Sequence, residues 1–291
     1  MDNEIPMGVG YYDRTARGRL VVSGHDRKDL LHRLAAHDIL GLKEGEGRPT
    51  CFCTGKGRLI DWAVALDRGR DLLLLCANTQ RLSGHIQQYT ITEDVSVGGY
   101  MAVEIVVCGS EAADLIGVEL PPWGHTTKRL GEVQTLVARV EPLMGDAYAL
   151  VAPDAVILRE MLAARAESLD AAAVEHGRVR AGIPAFPNEI NEDHNPWEAG
   201  LGDSISLSKG CYIGQEVIAR LHHYRKVQRR LVGLRLQGPA EPGAALRHRG
   251  ALVGALTTVA GEIGLGYVHV DAAAAGTELD RGTVVALPME A

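Results

Sequence analysis

The chain has 291 residues, 46% of them hydrophobic and 23% charged, which is the composition of a globular protein with room for one large domain or two to three smaller ones. Its formal net charge of −7 excludes a global attraction to nucleic acid or anionic membranes, and the longest apolar run, residues 72–77, is far shorter than the roughly 20 residues of a spanning helix. Only 4% of residues are aromatic, so the core has to be aliphatic.

Residues 20–23 form a short apolar run. From Asp26, a candidate N-cap, Leu30, Leu31, Leu34 and Ile39 approximate a helical period. Thr54-Gly55-Lys56-Gly57-Arg58 reads as a turn between strands over 48–53 and 59–67, followed by a buried strand at 71–77 and a helix at 79–89. A strand at 101–109 and a short helix at 111–116 precede a break at Pro121-Pro122-Trp123-Gly124-His125. Strands return at 133–140 and 147–152, and the alanine-rich stretch 155–176 is helical, with a break expected near 166–170.

Residues 182–210 hold three prolines and little periodicity, which predicts a long ordered loop of the kind that carries function. Beyond residue 230, short β-runs at 231–236, 251–259, 264–270 and 283–287 are punctuated by Gly and Pro, as in a small all-β barrel. Domains are therefore expected at 1–230 and 231–291.

The start Met1-Asp2-Asn3-Glu4 is acidic and polar, which predicts a cytoplasmic protein without a leader. Five cysteines, an odd number, argue against a disulfide framework. Cys51 and Cys53 would share one face of a strand, and Cys76 and Cys108 lie in apolar runs and read as small buried hydrophobes. Cys211 differs, because its neighbours are polar, charged and glycine-rich. In Lys209-Gly210-Cys211-Tyr212-Ile213-Gly214-Gln215-Glu216, two glycines allow a tight turn, and Lys209 would favour a thiolate. Two readings stand: a reactive thiol, or a turn cysteine packed on the barrel.

That eight-residue stretch resembles the signature of YgfZ-type proteins and their mitochondrial counterparts in iron–sulfur cluster assembly. Arg178, Ala181-Gly182-Ile183-Pro184 and Glu189-Ile190 resemble the wider GcvT (aminomethyltransferase) family. The resemblance implies an α+β fold. Its folate-binding region is made of two mixed α/β subdomains around a central channel, and a small C-terminal β-barrel follows.

It also implies a tetrahydrofolate cofactor, with Cys211 and Lys209 in the catalytic role. Asp146, Arg178, Glu189, Tyr212, Gln215 and Glu216 would be cofactor-binding. Asp146 corresponds to the carboxylate of a Gly-Tyr-Thr-Gly-Glu motif, read here as Pro142-Leu143-Met144-Gly145-Asp146. A solvated turn aspartate is the alternative. Arg178 matches the family's arginine, whereas Arg180 stands where an acidic residue is common.

The family's catalytic aspartate aligns with Ser83. No acid lies between Asp71 and Glu93, which speaks against glycine-cleavage chemistry. The expected function is a folate-binding accessory protein for iron–sulfur cluster assembly or repair. The alternatives are a folate-dependent aminomethyltransferase or demethylase, and an interaction module with a vestigial channel. No metal site is expected, since adjacent histidines such as His222 and His223 diverge. Iron–sulfur enzymes or their assembly machinery are the expected partners, RNA and membrane are not, and a monomer is expected. The basic run from His222 to Lys226, with Arg229 and Arg230, would be a solvated face or a rim for a folate's glutamate tail.

Overall fold

A computed structural model describes residues 8–289. In chain order the elements are β1 (Val9–Asp13), β2 (Arg19–Ser23), α1 (Arg27–Leu34), β3 (Gly47–Cys53), β4 (Leu59–Asp67), β5 (Leu72–Leu75), α2 (Thr79–Tyr89) and β6 (Ser96–Gly99). They continue with β7 (Val103–Gly109), α3 (Ala112–Ile116), β8 (His125–Leu130), β9 (Val133–Val140), β10 (Ala147–Ala152), α4 (Val156–Ala163), β11 (Glu167–Ser168) and α5 (Ala171–Ala181). After α6 (Gln215–His223) come β12 (Arg229–Leu236), β13 (Ala245–His248), β14 (Ala251–Ala260), β15 (Ile263–His269), β16 (Glu278–Leu279) and β17 (Gly282–Val285).

Three sheets result. The first has order β3-β4-β5-β2-β6, the second β11-β1-β7-β10-β9-β8, and the third β13-β14-β15-β12-β17-β16. The chain does not finish one sheet before starting the next: β1 joins the second sheet, pairing Tyr11 with Val107, while β2 joins the first. The segment between them, Arg14 to Gly18, therefore crosses the centre of the molecule.

The outer face of the first sheet is covered by α1 and α2, with Leu30, Leu31, Leu34, Leu82 and Ile86 packed on Ile60, Leu72 and Leu74. Helices α3 and α4 cover the second sheet, through Ile116, Leu158 and Leu162 on Ile105, Val107 and Leu150. The inner faces meet each other and the barrel, where Cys51, Cys53, Val64 and Leu75 join Val106, Cys108, Ala149, Leu231, Leu265 and Tyr267. Burial on both faces explains why β4 is buried at every position and reads as a nearly unbroken apolar run.

The third sheet nearly closes on itself around Leu234, Leu246, Leu256, Val268 and Val284. Its ends are tied where Asp280 N–H donates to the Arg247 carbonyl (2.9 Å) and Arg247 N–H donates to Asp280 Oδ1 (2.8 Å). Residues 182–210 carry only one helical turn, Gly202–Ser204, and are nonetheless anchored by Ile190, Ala199 and Ile205 in the central core. Among the described residues no helix is long and apolar enough to cross a membrane.

Asp26 does stand at the N-cap position of α1, but its side chain accepts from Asp94 N–H (2.8 Å) rather than capping the helix. The helix ends at Leu34, so Ile39 packs from the following turn. The expected break in the alanine-rich stretch falls between α4 and α5, where β11 pairs with β1.

Candidate functional site: a charged central cavity and an exposed thiol loop

A cavity of about 750 Å³ opens where the β1–β2 crossing, the first sheet, the end of β9, α5 and the long loop converge. Its walls include Tyr12, Trp62 and Phe186, so a chain with only two phenylalanines and three tryptophans places one of each here. Trp62 is fixed by donating its indole N–H to Ser204 Oγ (2.8 Å).

Charge in this region is paired internally. Glu104, fully buried, accepts from Arg14 Nε (2.7 Å) and Arg19 Nη1 (2.9 Å). Glu141 Oε1 accepts from Arg14 Nη1 (2.9 Å) and Arg17 Nη1 (2.7 Å), while the Arg17 guanidinium lies 5.5 Å from the Trp62 ring centroid. Burial pushes the Glu141 carboxyl up, but the charges of Arg14 and Arg17 outweigh it and hold the group at about 2. Glu141 Oε2 and Arg17 Nε are buried without a hydrogen-bond partner, an acceptor and a donor left over beside the cavity.

Arg178 also lines the cavity. It sits in the last turn of α5, which Gly182 ends in the left-handed conformation (φ 72°) that a Cβ would strain. Its guanidinium is committed on every side: to both Glu175 oxygens (2.9 and 2.6 Å), the Ile183 carbonyl (2.5 Å), Glu189 Oε2 (3.1 Å) and Thr258 Oγ1 (3.1 Å). Fully buried Glu189 accepts in addition from Ala185 N–H (3.0 Å) and Thr258 Oγ1 (2.7 Å). Together they bolt α5 and the long loop to strand β14 of the barrel, which makes Arg178 a wall of the cavity and Glu189 its support.

Asp146 stands elsewhere. It begins the turn into β10, is half exposed, pairs with Arg139 (2.6 Å) and lines no part of the central cavity. Asp13, Glu141 and Glu175 are the carboxylates that line the cavity, and Glu141, which sequence reasoning missed, is the one with a buried, unpartnered oxygen. Its signal was an acid ending an apolar strand, opposite the arginine cluster Arg14, Arg17 and Arg19.

Ser83 lies within α2 and does not line the cavity. The acid in that neighbourhood comes from another strand: Asp61 of β4, fully buried, whose Oδ2 accepts from the backbone N–H groups of Ala77 (2.9 Å) and Asn78 (2.8 Å). Burial raises the Asp61 carboxyl, and these backbone bonds only partly offset it. A linear search for an acid around α2 could not find it.

The cysteine-centred motif forms a separate feature, a loop tied to the end of α1. Ile213 N–H donates to the Arg33 carbonyl (3.0 Å), and Ser206 N–H to that of Ala36 (2.9 Å). Lys209 Nζ donates to the carbonyls of His32, Ala35 (2.6 Å) and His37 (3.4 Å). Burial lowers this ammonium to about 8. Lys209 thus satisfies carbonyls left free after α1, instead of standing ready for the thiol.

Gly214 (φ 85°) starts α6, and a Cβ there would lie 2.6 Å from the Thr54 carbonyl. Tyr212 is buried in the central core, and Gln215 Oε1 accepts from Tyr212 N–H (3.4 Å), closing the turn. Glu216 is exposed on α6. The result is that Cys211 alone of the five cysteines is exposed, while Cys51, Cys53, Cys76 and Cys108 are buried and their thiols pushed up, chiefly by burial. Cys51 and Cys53 do not meet Cys211 in a ligand cluster: among the described residues no group of three His, Cys, Asp or Glu side chains could hold a metal.

The arrangement has counterparts among known proteins. The crystal structure of the glycine cleavage system aminomethyltransferase T from Bartonella henselae superposes with a TM-score of 0.86 over 97% of this chain and 86% of that one, at 20% identity. The family described as CAF17, C-terminal beta-barrel domain, matches residues 228–288. An aminomethyltransferase of Geobacillus kaustophilus is 28% identical over 94% of this chain and 82% of its own length. A putative chloroplastic transferase of Arabidopsis thaliana is 32% identical over 94% of this chain and 68% of its own.

The chain belongs to the GcvT-like, aminomethyltransferase-related family.

The GcvT-like fold expected from the motifs is thus present over nearly the whole chain, with its CAF17-type barrel at the C-terminus.

Proposed function

We propose that this GcvT-like protein binds a reduced folate in the central cavity and serves as a YgfZ-type accessory factor in iron–sulfur cluster assembly or repair, with Cys211 as its working thiol. The observation that carries the folate half is the unpartnered pair, Glu141 Oε2 and Arg17 Nε, beside a cavity walled by three aromatic rings. The free carboxylate oxygen accepts an N–H of an aminopyrimidinone edge, a guanidinium N–H donates to its carbonyl, and the flat ring stacks on aromatic walls. The residues present fit a pterin. Tetrahydrofolate, when bound, supplies amine nitrogens that carry one-carbon units.

This chain's own groups bind and orient. With its carboxyl held at about 2, Glu141 is too weak a base to accept protons at neutral pH, which favours recognition over acid–base chemistry. The iron–sulfur half is supported by the CAF17-type barrel and by a loop that exposes Cys211 while its neighbours Lys209, Tyr212 and Gly214 are locked.

Calorimetric titration with tetrahydrofolate tests the first half. Loss of a charge-assisted bond in Glu141→Gln should weaken binding about 10- to 100-fold, and Cys211→Ser should leave it unchanged. Wild-type protein that takes up no folate would refute this reading. For the second half, Cys211→Ser should fail to restore iron–sulfur enzyme activities in a deletion strain, and full restoration would remove the thiol from the function.

Asp61 favours a second reading, aminomethyl or methyl transfer, because it is a buried carboxylate of raised pKa directly behind Trp62. Formation of 5,10-methylenetetrahydrofolate from an aminomethyl or methylated amine donor, abolished in Asp61→Asn, would establish that reading.

A further inference from the structure

A second, larger recess of about 990 Å³ lies between the β3–β4 turn, α6 and the hairpin β13–β14. It shares no lining residue with the central cavity, so a ligand held within that cavity leaves it free, and a folate's glutamate tail is the rival occupant. Its walls carry five Lys and Arg side chains against two carboxylates, in a chain whose net charge is −7.

Two of those cations are built into the floor. Arg58 and Arg229 both donate to the Asp193 carbonyl (2.9 and 3.0 Å) and flank buried Glu198 at 3.6 and 3.5 Å. The other three, Lys56 in the β3–β4 turn, Arg220 on α6 and Lys226 beyond it, come from separate segments. Among the described residues no carboxylate pairs with any of them. The second carboxylate, Asp271, points into solvent beside His269 (3.3 Å). Alongside these cations stand two exposed apolar side chains, Tyr224 and Leu252, at 61% and 63% exposure, with the Lys226 ammonium 5.8 Å from the Tyr224 ring centroid.

We propose that this recess binds a small, multiply phosphorylated ligand of the nucleotide class, its phosphates against Lys56, Arg220 and Lys226 and its planar base on Tyr224 and Leu252. Convergent cations over low-dielectric walls focus the field on an anion, and an arginine fork matches phosphate oxygens. The apolar pair has no use for bare phosphate and suits a base. One exposed ring offers no series of stacking platforms, which separates this recess from a single-strand groove. The volume lies at the upper end of small-ligand sites.

The test is calorimetric titration of the full-length protein with ATP, inorganic tripolyphosphate and tetraglutamate, each at low and raised salt. ATP should bind, more weakly as salt rises. The double variant Arg220→Ala/Lys226→Ala should weaken ATP and tripolyphosphate at least tenfold. Tyr224→Ala should weaken ATP several-fold and leave tripolyphosphate unchanged. Both variants should keep wild-type tetrahydrofolate affinity and melting temperature, since these side chains are exposed and lie outside the central cavity. The proposal is overturned if ATP gives no saturable heat at millimolar concentration, or if the double variant binds it as wild type does. It also fails if tetraglutamate or a short single-stranded oligonucleotide binds more tightly than ATP.

Discussion

The central cavity and the outer recess are both rich in arginine, yet they handle charge in opposite ways. In the cavity wall each arginine is met by a carboxylate: Arg14 by Glu104 and Glu141 and Arg17 by Glu141, all far along the chain, and Arg178 by its near neighbours Glu175 and Glu189. In the recess three cations stand without a carboxylate around a floor whose two arginines share the single carboxylate of Glu198. A neutralised, hydrogen-bonded wall recognises a polar, uncharged ring by shape and by its few leftover donors and acceptors. An unneutralised rim recognises charge. The difference also divides stability from function, because buried pairs hold the fold and exposed cations are free to be used.

The sharpest way to break this division is to remove one charge from each side. Glu104→Gln leaves Arg14 and Arg19 buried with reduced compensation and should lower unfolding free energy by about 3–5 kcal/mol. Arg220→Ala, exposed and unpaired, should change it by no more than about 0.5 kcal/mol. Chemical denaturation of both variants measures the contrast, and similar losses would erase it.

A smaller effect concerns the joint between the long loop and the barrel. The His194 ring stacks on Tyr267 with centroids 3.5 Å apart. Burial, with help from Arg229, lowers its pKa from 6.5 to about 4. The unfolded chain therefore takes up this proton at higher pH than the folded one. The neutral ring's contribution is complete above about pH 6.5 and is lost as pH falls through about 4, on the order of 1–3 kcal/mol. His194→Phe, which keeps the stack, should flatten stability between pH 6.5 and 4. His85, lowered likewise to about 4 mainly by burial, should keep its own share of the slope in that variant. An unchanged slope in His194→Phe would show that the ring is not the titrating group.

How far the sequence reveals this architecture depends on whether the signal is local. Strands β3, β4, β9 and β10 were readable because their apolar runs are flanked by turn residues, and the buried Cys76 and Cys108 because their neighbours are apolar. Strand β8, His125–Leu130, escapes notice because Thr126, Thr127 and Arg129 face solvent. Helix α6 escapes because it is nine residues long and its apolar stripe is only Val217, Ile218 and Leu221, too short to establish a period. The cysteine-centred motif falls on the loop that exposes Cys211, and Arg178 lines the cavity. The Arg14–Glu141 contact joins residues 127 positions apart, so only the fold brings them together. The same holds for Asp61 beneath the start of α2, which is 16 and 17 positions from the backbone N–H groups it accepts from.

The smallest predicted effect is the one that most directly corrects the sequence reading. Proximity along the chain makes Lys209 an activator of Cys211, whereas its ammonium donates to three carbonyls at the end of α1. Lys209→Gln should therefore behave as the loss of a helix-end partner, lowering unfolding free energy by about 1 kcal/mol. Under native conditions, the rate at which iodoacetamide alkylates Cys211 should change by less than about twofold, because an ammonium held by carbonyls does little to favour a thiolate. A drop of tenfold or more with stability intact would return Lys209 to the thiol. An unchanged rate with reduced stability would assign it to the scaffold, and the chemistry of Cys211 would then have to come from whatever partner approaches its exposed face.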